Sequence, residues 1–122
     1  MAVENYSIPK GKNLFEEILR IAEEENLFHA QILGGSGRIS GVKIVPTNFN
    51  TRPIDSAQEF GIGKLSATVK KTADSFSFAP LKASIFRPEN PKIVIEGELK
   101  GATTASDVTI EVSKHDLSKI IS

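Results

Sequence analysis

The 122-residue chain contains no cysteine and no tryptophan, one methionine, one tyrosine and two histidines. Without cysteine it forms no disulfide, no thiolate metal site and no cysteine nucleophile. His29 and His115 are too few for a histidine-rich zinc site within one chain. An excess of one charge is lacking too, since 15 basic and 15 acidic side chains leave a formal net charge of zero. Nucleic-acid phosphates are held by clustered, uncompensated Lys and Arg that release counterions, so this balance argues against a nucleic-acid partner. No apolar run approaches the roughly 18 residues that span a bilayer. The purest run is Ile93-Val94-Ile95, which excludes a membrane-spanning helix. Residues 1–12 are interrupted by Glu4, Asn5, Pro9 and Gly11 and hold no secretory signal core. The expectation is a cytoplasmic protein with no membrane partner, in keeping with a cysteine-free composition.

What is present suffices for one core. Globular chains of about this size remove roughly two thirds of their unfolded surface from water, so residues 1–122 read as one domain. Leu14, Phe15, Ile18, Leu19, Ile21 and Ala22 recur at helical spacing, with Glu16, Glu17, Arg20, Glu23 and Glu24 opposite. This predicts a helix over 13–25 with Asn13 as its N-cap. Beyond it, 27–33, 41–46, 64–71, 82–86, 92–99 and 106–113 are short β-branched-rich runs between turn residues. In 107–112 the alternation Asp-Val-Thr-Ile-Glu-Val places the apolar side chains on one face. Residues 47–63 show little periodicity and read as a long loop or irregular edge, and 74–80 as an exposed strand or a turn. The fold class expected is α/β (α+β), with one main helix packed on a twisted mixed or antiparallel sheet.

Gly34-Gly35-Ser36-Gly37-Arg38 is the most distinctive local feature, because successive glycines permit positive φ and close backbone approach. No helical run follows and the Lys-Ser/Thr ending of a phosphate loop is missing, so tight strand packing or a bulge stands beside a small-anion site completed by Arg38. His29 beside Phe28 reads as a structural residue, and His115 next to Asp116 does not form a catalytic dyad. Ser36, Ser66 and Ser84 lie in no Gly-x-Ser-x-Gly. Glu96 and Glu98 are two apart in a strand and share a face, as paired acid–base work requires, although solvated carboxylates have the same spacing. Lys70-Lys71, Lys82, Lys92 and Lys100 make no dense basic patch with aromatic partners.

The order of these segments resembles the plant and prokaryote conserved (PPC) domain. The resemblance begins with the helix, the stretch Ala30-Gln31-Ile32-Leu33-Gly34-Gly35-Ser36-Gly37-Arg38-Ile39 and the strand Gly41-Val42-Lys43-Ile44. Phe60-Gly61-Ile62-Gly63-Lys64-Leu65-Ser66 is similar to that family's central strand, which reads Glu-x-x-Ser-Leu-x-Gly-x-Ile. Pro80-Leu81-Lys82-Ala83-Ser84-Ile85 is similar to its His-Leu-His-Ala-Ser-Leu segment, and Glu96-Gly97-Glu98-Leu99 falls where the family has Gly-Gly-His-Leu. The resemblance implies a sandwich-like α/β fold, trimeric subunits and a cleft between neighbours. It also implies kinship with plant DNA-associated proteins that carry AT-hooks, although this chain has none. The histidines that bind metal in many relatives fall on Pro80, Lys82 and Glu98, so no metal cofactor is expected. Lys82 and Glu98 carry opposite charges, and the swap suggests an ion pair where the metal would sit.

The resulting expectation is a metal-free, homotrimeric binding module. Its site would comprise Gly34, Gly35, Ser36, Gly37, Arg38, Lys82 and Glu98, lining an intersubunit pocket for a small anionic ligand. One alternative is a DNA-associated regulatory protein. The other is an enzyme using Glu96, Glu98 or His29 as a general base.

Overall fold

In the computed structural model, which describes residues 2–47, 54–73 and 75–114, the chain runs through eight strands and one helix. In order these are β1 (Ala2–Ile8), α1 (Leu14–Glu24), β2 (His29–Ser36), β3 (Arg38–Pro46) and β4 (Ile54–Ser56), then β5 (Phe60–Thr72), β6 (Ser75–Arg87), β7 (Asn90–Thr104) and β8 (Val108–Lys114).

Helix α1 begins where Asn13 is extended and its side-chain oxygen accepts from the Glu16 N–H at 3.1 Å. It ends on Asn26, whose φ of 51° is left-handed, a conformation asparagine tolerates better than most residues. There the Leu27 N–H donates to the Ala22 carbonyl and the Asn26 N–H to the Glu23 carbonyl, satisfying groups the last turn would otherwise orphan. The buried face carries Leu14, Ile18, Ile21 and Ala22 and packs towards β6, β7 and β1. Phe15 meets Phe78 of β6 with ring centroids 5.3 Å apart. On the wet face Arg20 pairs with Glu17 and Glu24, offsetting an acidic helix that has no basic residue in its last turn.

The turn into α1 is fastened to the end of β7 by Thr104, a buried polar residue. Its hydroxyl donates to the Pro9 carbonyl at 2.7 Å and accepts from the Lys12 N–H at 2.9 Å. Its own N–H donates to the Lys12 carbonyl.

Every strand pairing among the described residues is antiparallel, in the order β1-β8-β2-β5-β6-β7-β3-β4. An additional pairing of β3 with β5, through Arg38–Gly61 and Ile39–Phe60, closes β5, β6, β7 and β3 into a ring. The core includes Ile39, Ile44, Leu65, Leu81, Ile85 and Leu99, all but inaccessible to water. At the far edge, Lys114 bridges to Glu4 at 3.1 Å and lies over the Tyr6 ring, while the Tyr6 hydroxyl donates to Glu4 at 2.9 Å.

Sheet therefore dominates, and the α/β expectation is correct only loosely: among the described residues there is one helix, and the pairing is antiparallel, one of the two arrangements expected. Period-2 alternation identifies strands but carries no information on pairing direction. The helix and all six expected strand runs are present. β1 and β4 escaped the sequence reading, β1 because it is a polar edge strand with Val3 exposed, β4 because it is three residues long. The expected loop 47–63 holds β4 and the start of β5, and 48–53 lie outside the described residues. Segment 74–80 resolves largely into strand: β6 starts at Ser75 and runs on to Arg87.

Candidate functional site

The register of β5, β6 and β7 places residues in two rows. Ser66, Lys82 and Glu98 lie opposite one another across the three strands, as do Lys64, Ser84 and Glu96. Directly opposed residues of antiparallel strands project to the same face, so six polar side chains share it. The alternating residues Leu65, Ala83 and Leu99 turn inward and are buried.

Two irregularities shape this face. Between the Ser66–Lys82 and Thr68–Ala79 pairs, β6 advances three residues while β5 advances two. Pro80 sits in that bulge, where a missing N–H costs no ladder hydrogen bond. On the other side Gly97 lets β3 and β7 approach so closely that a Cβ there would stand 2.2 Å from the Val45 carbonyl oxygen. The Thr47 N–H donates to the Glu96 carbonyl at 3.0 Å, continuing the contact past the end of β3.

Together these elements enclose an open cavity of about 510 Å³. Lys64, Lys82, Ser66 and Ser84 supply donors, Glu96 and Glu98 supply carboxylates, and Val45, Pro46 and Pro80 supply an apolar lining. A second hollow of about 340 Å³ adjoins it, sharing Ser66, Pro80 and Lys82 and adding Gln31, Leu33 and Thr68.

Charge in the cavity is only partly compensated. The Glu98 carboxylate accepts from Lys100 Nζ at 2.9 Å. The expected Lys82–Glu98 ion pair is not formed: the two are register partners, but Lys100, two residues along β7 and on the same face, takes the carboxylate. Among the described residues, Lys64, Lys82 and Glu96 have no ion-pair partner within 4.0 Å.

The glycine stretch lies elsewhere. Leu33 bulges out between the Ile32–Val112 and Gly34–Glu111 pairs. A Cβ on Gly35 would come within 2.7 Å of the Leu65 side chain, and Gly37, at φ 121°, would place one 2.7 Å from the Asp107 carbonyl. Arg38 opens β3, its N–H donating to the Ser106 hydroxyl at 2.9 Å. These contacts match tight strand packing. Gly34, Gly35, Ser36, Gly37 and Arg38 do not line the cavity, so one chain does not unite them with Lys82 and Glu98. His29 starts β2 opposite Lys70 and is also no part of the lining, and His115 and Asp116 lie outside the described residues. Sequence reasoning passed over Lys64, and considered Ser66 and Ser84 only as nucleophiles. Period-2 spacing signals that Lys64 and Ser66 share a face, but which strand lies alongside is a tertiary fact.

The metal that the resemblance implies at Pro80, Lys82 and Glu98 does not fit this donor set. Proline offers no side-chain donor, a lysine ammonium repels a cation, and Glu98 is engaged by Lys100. Among the described residues no three His, Cys, Asp or Glu side chains group as a metal would need.

A family model described as the Plants and Prokaryotes Conserved (PCC) domain matches residues 5–115. Among solved structures, the chain resembles a plant- and prokaryote-conserved protein of Pyrococcus horikoshii. The TM-score is 0.73 at 16% identity, covering 95% of this chain and 80% of that one. A metal-containing protein of Archaeoglobus fulgidus gives 0.75 at 16% identity, covering 93% and 79%. A proposed DNA-binding protein of Bacteroides thetaiotaomicron gives 0.75 at 14%, covering 93% and 78%. At such identities the likeness is one of fold. No match is found among curated proteins.

Proposed function

The chain belongs to the Plants and Prokaryotes Conserved domain family, and from that premise we propose that it is a metal-free binding module, assembled as a homotrimer, that takes a small anionic ligand in the cavity on β5, β6 and β7. The carrying observation is a pair of lysines, Lys64 and Lys82, that line the cavity without carboxylate partners among the described residues and alternate with the hydroxyls of Ser66 and Ser84. Ammonium groups beside hydroxyl donors, over an apolar floor, suit a carboxylate or phosphate, because charge-assisted hydrogen bonds are about twice as strong as neutral ones. Exposed Leu33 and Val45, beside and within the cavity lining, support a neighbouring subunit covering this face. Native mass spectrometry combined with titration of phosphate and acetate tests the reading. A trimer whose resonances around Lys64 and Lys82 shift on titration, with the shifts lost in Lys64→Met/Lys82→Met, is the expected result. A monomer, or no response to either anion, removes it.

A second reading, association with DNA, rests on the description of the Bacteroides relative. It predicts salt-dependent binding to duplex DNA, and fluorescence anisotropy that stays flat at low ionic strength discards it.

A further inference from the structure

The cavity is polar in a directional sense. Its cations stand on β5 and β6, at Lys64 and Lys82, and its acids on β7, at Glu96 and Glu98. Strands are spaced about 4.8 Å apart, so the base of the Lys64–Ser84–Glu96 row spans roughly 10 Å from ammonium-bearing to carboxylate-bearing strand. Glu98 is paired with Lys100, whereas Glu96, exposed and without a cationic partner among the described residues, presents an uncompensated carboxylate beside the floor of the cavity. An anion docked on the lysines therefore meets an uncompensated carboxylate at the other end. If the ligand had no positive group, closing a subunit over the site would strip water from Glu96 with nothing in return.

We infer that the ligand is a zwitterion, a small molecule carrying a carboxylate or phosphate at one end and an amine at the other, with its anionic end on Lys64, Lys82 and the two serine hydroxyls and its ammonium on Glu96. The apolar strip of Val45, Pro46 and Pro80 suits a short aliphatic spacer. This inference rests on the proposed anion site and adds a second contact point to it. It assigns Glu96 a role that a simple anion site would make unfavourable.

Titration of the intact protein with 5-aminopentanoate, pentanoate and inorganic phosphate, followed by backbone amide shifts in β5, β6 and β7, tests both layers. The expected result is that 5-aminopentanoate binds about fivefold more tightly than pentanoate, the order of one partly exposed ion pair. In Glu96→Gln this advantage disappears while pentanoate binds no more weakly than before. That last measurement also reports that the variant is folded. Equal affinity for 5-aminopentanoate and pentanoate in the unaltered protein overturns the zwitterion and leaves the anion site standing. Failure of all three probes to shift these amides overturns both.

Discussion

Gly97 and Val45 approach to the limit of backbone contact: a single carbon added to Gly97 would lie 2.2 Å from the Val45 carbonyl oxygen. Both residues line the cavity, so the contact that seals the ring between β3 and β7 also sets the cavity's width. Gly97→Ala forces the strands apart and is expected to destabilise the fold by about 1–3 kcal/mol, the usual range for overpacking. Chemical denaturation checks it, and a loss below about 0.5 kcal/mol would show that the strands separate freely.

Thr104 carries three backbone partners on one buried side chain and its own N–H. Thr104→Val keeps the shape but leaves the Lys12 N–H and the Pro9 carbonyl without the hydroxyl, at an expected cost of about 1–3 kcal/mol. Thr104→Ser, which restores the hydroxyl, is expected to recover most of that loss in the same urea titration. Equal losses in the two variants would assign the effect to packing.

Asn13 holds the first turn of α1 through its bond to the Glu16 N–H. Asn13→Ala is expected to lower stability by about 1 kcal/mol, and Asn13→Ser or Asn13→Asp by much less, because both can cap. Thermal melts of the three variants rank them.

The Tyr6 hydroxyl first, and then Lys114, hold the Glu4 carboxyl below its ordinary value of 4.5. A carboxyl whose folded pKa is depressed stabilises the fold above its unfolded pKa, and that contribution is lost as pH falls through the folded pKa. Glu4→Gln is therefore expected to be less stable than the unaltered protein at pH 7 and indistinguishable from it in strong acid. Unfolding measured at pH 7, 4.5 and 3 would show the gap narrowing below about pH 4.5. A gap independent of pH would mean that the carboxylate charge at position 4 is not involved.

Much of the architecture is legible in local chemistry. Asn13 and the 3.6-residue spacing announce the helix, and Val108, Ile110 and Val112 announce the buried side of β8. What stayed hidden is whatever depends on residues distant in sequence. Lys82 and Glu98 emerged from a family likeness, but their relationship to Lys64, Ser66, Ser84 and Lys100 follows from strand register, which no local pattern encodes. The glycine stretch is ambiguous in sequence for the complementary reason. The freedom that lets glycine receive an anion equally lets a strand pass tightly against Leu65 and Asp107, and the surroundings decide between the two.

Strand β8 lies between β1 and β2, pairing with both, although it follows β2 by about seventy residues and β1 by about a hundred. During synthesis the first two strands have no route to each other, and the apolar sides they will bury, including Ile8 and Ile32, wait on a partner not yet made. The β5–β6–β7 meander can form from neighbouring sequence, whereas the β1–β8–β2 seam must close a large loop first. Folding is thus expected to finish at the two ends of the chain together, and a nascent chain truncated before residue 108 has a ring but no seam to complete it.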